Sequence, residues 1–336
     1  MLYSNEKIEE LRHRWTTLKG KKFLKIIKSS HCYLNSLSFR DKIHYLPGMN
    51  DPEVQNGIDL RGAPLSGFDF RVSVREDDGF TEDMAILSNI NFEGAILRHC
   101  NFEEGIIFNC NFENADLTHS NFENAILNKC SFEEADISGI NVRSTKFINC
   151  NFSNATIKDV SFKMAFADEE TSFGKHLKSE KEKNHHIAAA EHKQIKEMYK
   201  NSSLHSKGDH HHYRENICKR RSTKLTNPTR WISFIFGDML CKYGISFVRV
   251  FIWSLVIIIG CAVIYRETNS LMFLNASVPT TFADAIYFSA STFTTLGYGD
   301  FHVIGHSRFL SGLESFSGAI LMSLFTVIAA RKIIRD

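Results

Sequence analysis

From residue 85 to 162 the chain repeats itself every five residues, most plainly in "NFENADLTHSNFENAILNKCSFEEADISGINVRSTKFINCNFSNATI". Large apolar residues recur without a slip, from Leu87, Phe92 and Leu97 through to Phe152, Ile157 and Phe162. A small residue sits two positions before most of them, as at Ala95, Cys100, Ala115 and Cys130, and asparagines such as Asn91, Asn101, Asn111 and Asn121 precede many of them. A period of five fits neither a helix at 3.6 nor a strand at 2, so the backbone must turn a corner every five residues.

This pattern resembles the pentapeptide-repeat family. The resemblance implies a right-handed, four-sided β-helix in which the small and the large residue point inward and twenty residues complete a coil. Phe92, Phe112, Phe132 and Phe152 would then stack in one internal column, and Cys110, Cys130 and Cys150 in another, at roughly the ~4.8 Å spacing of paired strands. The earlier fragment "IDLRGAPLSGFDF" places Leu60, Leu65 and Phe70 five apart and then loses register through "REDDGFTED", which reads as a first coil followed by an insertion. Sulfur in a row suggests metal ligands, but these cysteines occupy the small-residue position, so core packing is the expectation. Some members of the family resemble acidic DNA and inhibit topoisomerases. The mixture here of Glu93, Glu103 and Glu133 with Arg98, Lys129 and Arg143 gives that reading weak support, and no nucleic-acid partner is expected.

Overall charge decides little, with 40 Lys and Arg against 38 Asp and Glu. The N-terminus "MLYSNEKIEELRHRW" lacks the apolar core of a signal peptide, so the first two thirds are expected in the cytosol and the eight cysteines as free thiols. Residues 166 to 230 are polar and histidine-rich. Ile187 to Lys200, with Ile187, Ala190, Ile195 and Met198 near one face, and about His210 to Arg221 read as a helical hairpin broken at "NSSLHSKGD". His185, His186, His192, His205 and His210 to His212 read as a solvated, weakly metal-binding surface, since consecutive histidines on a helix point in different directions. The basic "KRRSTK" and Arg230 just ahead of the apolar region place that flank on the cytoplasmic side.

Two apolar runs follow, about 245–265 and about 309–330, each near the ~20 residues that cross hydrocarbon. Arg249 in the first run is expected to snorkel, and "WISFIFGDMLCKYG" upstream reads as an interfacial helix. Basic residues flank the outer ends of both runs, so both termini are expected in the cytoplasm. Between the runs, Thr281 and Asp284 make a capping box for a helix at about 282–294, followed by "TTLGYGD". Non-helical backbone at membrane depth must line something. Gly297 and Gly299 allow successive carbonyls of Thr295 to Gly299 to face one side, and the helix C-terminus aimed there favours a cation.

Span, short helix, "TTLGYGD" and second span resemble the two-transmembrane potassium channels. That resemblance implies a homotetramer in membrane lipid, with carbonyls of Thr295, Leu296, Gly297 and Tyr298 and the Thr295 hydroxyl coordinating K+, Gly299 closing the filter and Asp300 at the outer mouth. Tyr298 would brace the filter, Thr294, Ser291, Tyr287 and Phe288 would support it, and Gly318 is either a gating hinge or a packing glycine. Leu296 departs from the more usual valine or isoleucine, and Glu314 in the second run wants a partner, His306 or a pore-helix hydroxyl. No arginine-rich voltage helix and no nucleotide-binding glycine fingerprint is present.

The expected fold is therefore multidomain. It comprises an N-terminal region 1–57, partly helical, a right-handed quadrilateral β-helix at 58–165, a helical connector at 166–230, and an all-α two-transmembrane-helix pore domain with a re-entrant loop at 231–336. The expected function is a potassium channel of the bacterial inner membrane, not an enzyme, with no cofactor beyond the permeant ion and a cytoplasmic protein as the solenoid's candidate partner. A weakly selective cation pore and a membrane-anchored interaction scaffold are the alternatives.

Overall fold

The computed structural model describes residues 5–29, 58–75, 81–273 and 281–335, so Cys32 and the whole segment 30–57 lie outside the described residues. The chain divides into two compact units, Met1–Ser222 and Thr223–Asp336.

The first unit is built on a β-solenoid. Strands β1 (Ile58–Asp59), β2 (Val72–Arg75), β3 (Thr81–Met84), β4 (Ile86–Ser88), β5 (Ile90–Asn91), β6 (Ile106–Phe108), β7 (Ile126–Asn128), β8 (Lys146–Ile148) and β9 (Phe166–Ala167) supply its faces. β4, β6, β7, β8 and β9 pair in parallel in that order, with partners twenty residues apart such as Ile86 with Ile106 and Leu127 with Phe147. The early fragment is a first coil: Ile58 pairs with Ile90 and Asp69 bridges Asn101. The extra residues form the antiparallel hairpin of β2 and β3, in which Val72 pairs with Met84.

Local chemistry explains the repeat. At most corners an Asn or Asp carboxamide or carboxylate oxygen accepts the amide two residues on, as Asn91 does from Glu93 at 2.9 Å and Asp136 from Ser138 at 3.0 Å. Each corner also holds one residue at positive φ, every fifth position from Asn89 (55°), Gly94 (65°) and His99 (54°) to Asn154 (60°) and Asp159 (58°). Asn and Gly recur there because they tolerate that conformation best.

Inside, Phe92, Phe112, Phe132, Phe152 and Phe173 stack with centroids 4.8 to 5.0 Å apart. A second column runs Phe70, Phe102, Phe122 at 4.5 Å. The small-residue corners share a further rule. Ser120, Cys130, Thr145 and Cys150 each aim a hydroxyl or thiol at the carbonyl twenty-three residues earlier, Leu97, Ile107, Phe122 and Leu127. Burial pushes the Cys100 and Cys110 thiols up to about 12, so these sulfurs are packed donors, and all seven cysteines among the described residues are free. Phe112→Ala removes a ring stacked on both sides, and the expected loss is about 3–5 kcal/mol of solenoid stability, read by chemical unfolding followed in far-UV circular dichroism. A loss under ~1 kcal/mol would contradict the column.

Both ends of the solenoid are covered. Helices α1 (Asn5–His13) and α2 (Leu18–Ser29) sit at the first coil. Arg14 forks onto Asp59 with two 2.8 Å bonds, Trp15 donates to the Arg61 carbonyl at 2.7 Å, and Arg12 reaches the Gly94 carbonyl at 3.1 Å. Burial works against the Asp59 charge, but hydrogen bonds from Arg14 and Arg61 outweigh it and hold the carboxyl below its usual range. The stability this linkage supplies is complete above the unfolded carboxylate value of about 3.9 and is lost as pH falls through the lower folded value. Arg14→Met should cost about 3 kcal/mol at neutral pH, the low end for a buried pair because Arg61 remains, and should flatten the acid limb of the stability profile.

The sequence places the end of the solenoid at 165, but the coil continues. Asn151 bridges Ser172, one residue out of step, because Asp168 holds the Thr171 amide and hydroxyl and absorbs the extra residue. Helices α3 (Lys178–Lys181), α4 (His185–Asn201) and α5 (His205–Ser222) follow. The hairpin of α4 and α5 closes the coil: Tyr199 donates to the Thr171 carbonyl at 2.8 Å, and Ser202 accepts the Ala167 amide at 2.8 Å. These bonds rotate α4 away from the face read in the sequence. Ile187 and Ala190 are exposed, and Ala188, Ala189, His192, Ile195, Met198 and Tyr199 are buried. The histidines likewise do not all lie on a solvated surface, since His192 and His211 are interior with their Nδ1 atoms 2.9 Å apart.

Candidate functional site

The second unit opens with α6 (Pro228–Ile232), capped by Asn227, and a wide-turned helical segment Ser233–Met239 whose Phe234, Ile235 and Phe236 are exposed. The first span, α7, is Phe247–Glu267 rather than 245–265, because the Ser246 hydroxyl accepts the Arg249 amide and caps the helix there. Arg249 donates to the Asp238 carbonyl at 2.8 Å. The second span, α9, is Ser307–Arg335, longer than 309–330 at both ends. It begins after Gly305 (φ 67°), and helical hydrogen bonding carries it on beyond Ala330 through Ile333 and Ile334 to Arg335. Both are long and apolar enough to cross a membrane.

Between them the chain is held at both ends. β10 (Leu271–Phe273) pairs antiparallel with β11 (Phe301–Val303), and α8 (Phe282–Phe293) lies between. The capping box is present: the Thr281 hydroxyl accepts the Asp284 amide at 3.3 Å, and Asp284 accepts the Thr281 amide at 2.8 Å.

The loop after α8 has an unusual division of its polar groups. The amides of Thr294, Thr295, Leu296 and Gly297 turn back onto the last carbonyls of α8, with Leu296 on Ser291 at 3.0 Å and Thr295 on Thr292 at 3.0 Å. Among the described residues, the carbonyl oxygens of Thr295, Leu296, Gly297 and Tyr298 accept no hydrogen bond. The φ angle is positive at every second residue, Thr295 (58°), Gly297 (54°) and Gly299 (81°), and Leu296 and Tyr298 fall outside that set. Alternation of this kind turns successive carbonyls to one side. Thr295 is β-branched, for which a positive φ is a real outlier, and strain of this kind concentrates where function requires it.

The supporting residues gather behind the loop. Tyr298 stacks on Tyr287 of α8 at 6.2 Å, and the Asp300 carboxylate lies beside the Tyr287 hydroxyl. Thr294 donates to the Ala290 carbonyl, Ser291 is buried, and Phe288 meets Tyr265 edge-on at 5.2 Å. Glu314, 2% exposed, takes Tyr265 at 2.7 Å and the pore-helix hydroxyl of Ser289, and so ties α7, α8 and α9 together. His306 is not its partner. Tyr265 is the residue the sequence did not flag, since a lone tyrosine near a span end ordinarily reads as an interface anchor. Helix α9 runs unbroken through Gly318, where a Cβ would fall 1.9 Å from the Phe293 carbonyl oxygen.

Residues 236–335 match the family described as ion channel, and residues 85–105 and 106–143 match pentapeptide repeats, eight copies in all. The chain carries an ion channel domain and a pentapeptide-repeat domain. The ion channel match takes in both apolar helices, α8 and the loop, so the second unit is a membrane-type pore domain. Neither matched family is an enzyme family.

Solved pentapeptide-repeat structures are similar over about a third of this chain. Rfr23 from the cyanobacterium Cyanothece 51142 is 19% identical over 35% of this chain and 86% of its own, with a TM-score of 0.28. HetL from Nostoc sp. strain PCC 7120, involved in heterocyst differentiation regulation, is 22% identical over 33% of this chain and 50% of its own, TM-score 0.26. QnrB1, a plasmid-mediated fluoroquinolone resistance protein, is 14% identical over 36% of this chain and 51% of its own, TM-score 0.20. No curated protein matches the chain.

Proposed function

We propose that four copies of this chain assemble into a potassium-selective channel. K+ passes in file between the carbonyls of Thr295, Leu296, Gly297 and Tyr298 and the Thr295 hydroxyl. One observation carries the reading: the loop's amides are tied to α8 while its own carbonyls are left without donors. A row of oriented oxygens replaces a cation's water shell, and the C-terminal end of α8 adds partial negative charge beside it. One chain supplies one wall, and Leu296 and Tyr298, 62% and 67% exposed, leave the loop's other side for further copies.

Tyr298 on Tyr287 and Asp300 beside it brace the filter and form its outer mouth. Leu296 contributes a backbone oxygen, so its departure from the common residue alters packing rather than ion choice. Basic residues outside both spans support a reading in which both termini lie on the cytoplasmic side of a bacterial inner membrane. There the solenoid serves as a regulatory or interaction module that offers its flat faces to a protein partner.

Reconstitution of the purified chain in planar bilayers tests this, together with native mass spectrometry in detergent. Unitary potassium currents and a four-chain mass are expected. A chain that stays monomeric and passes no current would be a membrane-anchored scaffold instead.

A further inference from the structure

Glu180 on α3, His192 on α4 and Cys218 on α5 converge inside the connector, with ligand atoms all within 4.8 Å of one another. Their exposures are 6%, 1% and 0%. Glu180 Oε2 and His192 Nε2 face each other at 3.5 Å, and neither has a hydrogen-bond partner. That spacing is longer than the roughly 2.7–3.2 Å of a directed N–H···O bond.

The remaining atoms of these side chains are committed elsewhere. Glu180 Oε1 takes Arg214, with Arg221 at 4.0 Å, and His176 Nδ1 lies 3.4 Å from Oε2. His192 Nδ1 meets His211 Nδ1 at 2.9 Å, a contact in which one ring must donate and the other accept. If His192 donates, its Nε2 lone pair points at a carboxylate oxygen, an arrangement that a cation between them relieves. If His211 donates, Nε2–H is left with an overlong contact. Buried polar atoms in either state are costly without a partner.

We propose that Glu180, His192 and Cys218 form a binding site for one divalent transition ion of the zinc type. His211 acts as a positioning residue that holds His192 with Nε2 toward the ion. An oxygen, an imidazole and a thiolate suit zinc or cobalt, while magnesium and calcium take oxygen sets. Three protein donors leave a fourth position for water. Coordination releases the Cys218 proton to solvent, and the resulting thiolate and the Glu180 carboxylate offset the ion's two charges, so the Arg214 guanidinium that shares the carboxylate leaves the loaded site with one net positive charge. His176, 39% exposed at its side chain and adjacent to Oε2, marks the side from which the ion enters. The site stands on the helical connector alone and does not depend on the pore reading.

The test uses the full chain in detergent, stripped with a chelator and titrated with Co2+. The expected result is one Co2+ per chain with a thiolate-to-cobalt charge-transfer band, bleached by Zn2+. Cys218→Ser should lose the band with unchanged circular dichroism, and His211→Phe should weaken binding about 10–100-fold as an orienting partner does. The double variant His210→Ala/His212→Ala should keep the band. No band, or a band that survives Cys218→Ser, overturns the proposal. Should Cys218→Ser fail to fold, X-ray absorption of the zinc-loaded wild type decides: one sulfur at about 2.3 Å supports the site, and an all-nitrogen and oxygen shell refutes it.

Discussion

Gly299→Ala should abolish potassium current while the chain still assembles. Gly299 sits at φ 81° with nothing within 4 Å of where a Cβ would lie, so the effect is conformational and not steric. Holding an alanine there costs about 1–2 kcal/mol per chain, or about 4–8 kcal/mol around four proposed walls, and the backbone escapes by rotating the peptide between residues 298 and 299, which turns the Tyr298 carbonyl aside. Each turned carbonyl removes an oxygen from the file, and a dehydrated cation tolerates no gap there. Helix packing lies elsewhere, in the Glu314, Tyr265 and Ser289 contacts, so assembly should survive. Macroscopic current normalised to membrane-inserted protein is the readout. Current equal to wild type would remove the loop from the conduction path.

Gly318→Val should break the pore domain itself. The Cβ position is 1.9 Å from the Phe293 carbonyl oxygen and 2.7 Å from its carbon, both backbone atoms that cannot yield as a flexible side chain would. Phe293 is the last residue of α8, so separating the helices disturbs the segment on which the loop's amides are tied. Overpacking of this kind costs about 3 kcal/mol or more. A lower unfolding temperature in detergent and loss of the monodisperse peak in gel filtration are expected, with Gly318→Ala intermediate. If Gly318→Ala instead assembles and unfolds like wild type but opens differently, the glycine acts as a hinge rather than a packing contact.

The solenoid was legible because its interior is made by the local repeat. A residue such as Phe112 touches its own kind twenty positions away, and the period alone places both. The first coil was legible for the same reason, since Leu60, Leu65 and Phe70 keep the spacing even though a hairpin follows. The slip at Ser172 was not, because it depends on one Asp168 side chain capturing Thr171.

The connector face was misread because a helix with mixed polarity takes its orientation from what it docks on. Tyr199 and Ser202 fix α4 to the coil, and that rotation buries His192 and His211. In the pore domain, capping chemistry announced α8, and Gly297 and Gly299 announced the turn. The positive φ of Thr295 was hidden, because a β-branched residue gives no sign of adopting it. The Glu314 to Tyr265 bond joins residues 49 apart and has no periodic signature.

The backbone loop of this chain is proposed to select potassium. Selectivity is read most directly from the reversal potential of the reconstituted protein in a planar bilayer with opposed potassium and sodium gradients, both ions being present on each side. Reversal is expected close to the potassium equilibrium potential and should follow it as potassium is varied. A reversal near zero under opposed gradients would contradict it.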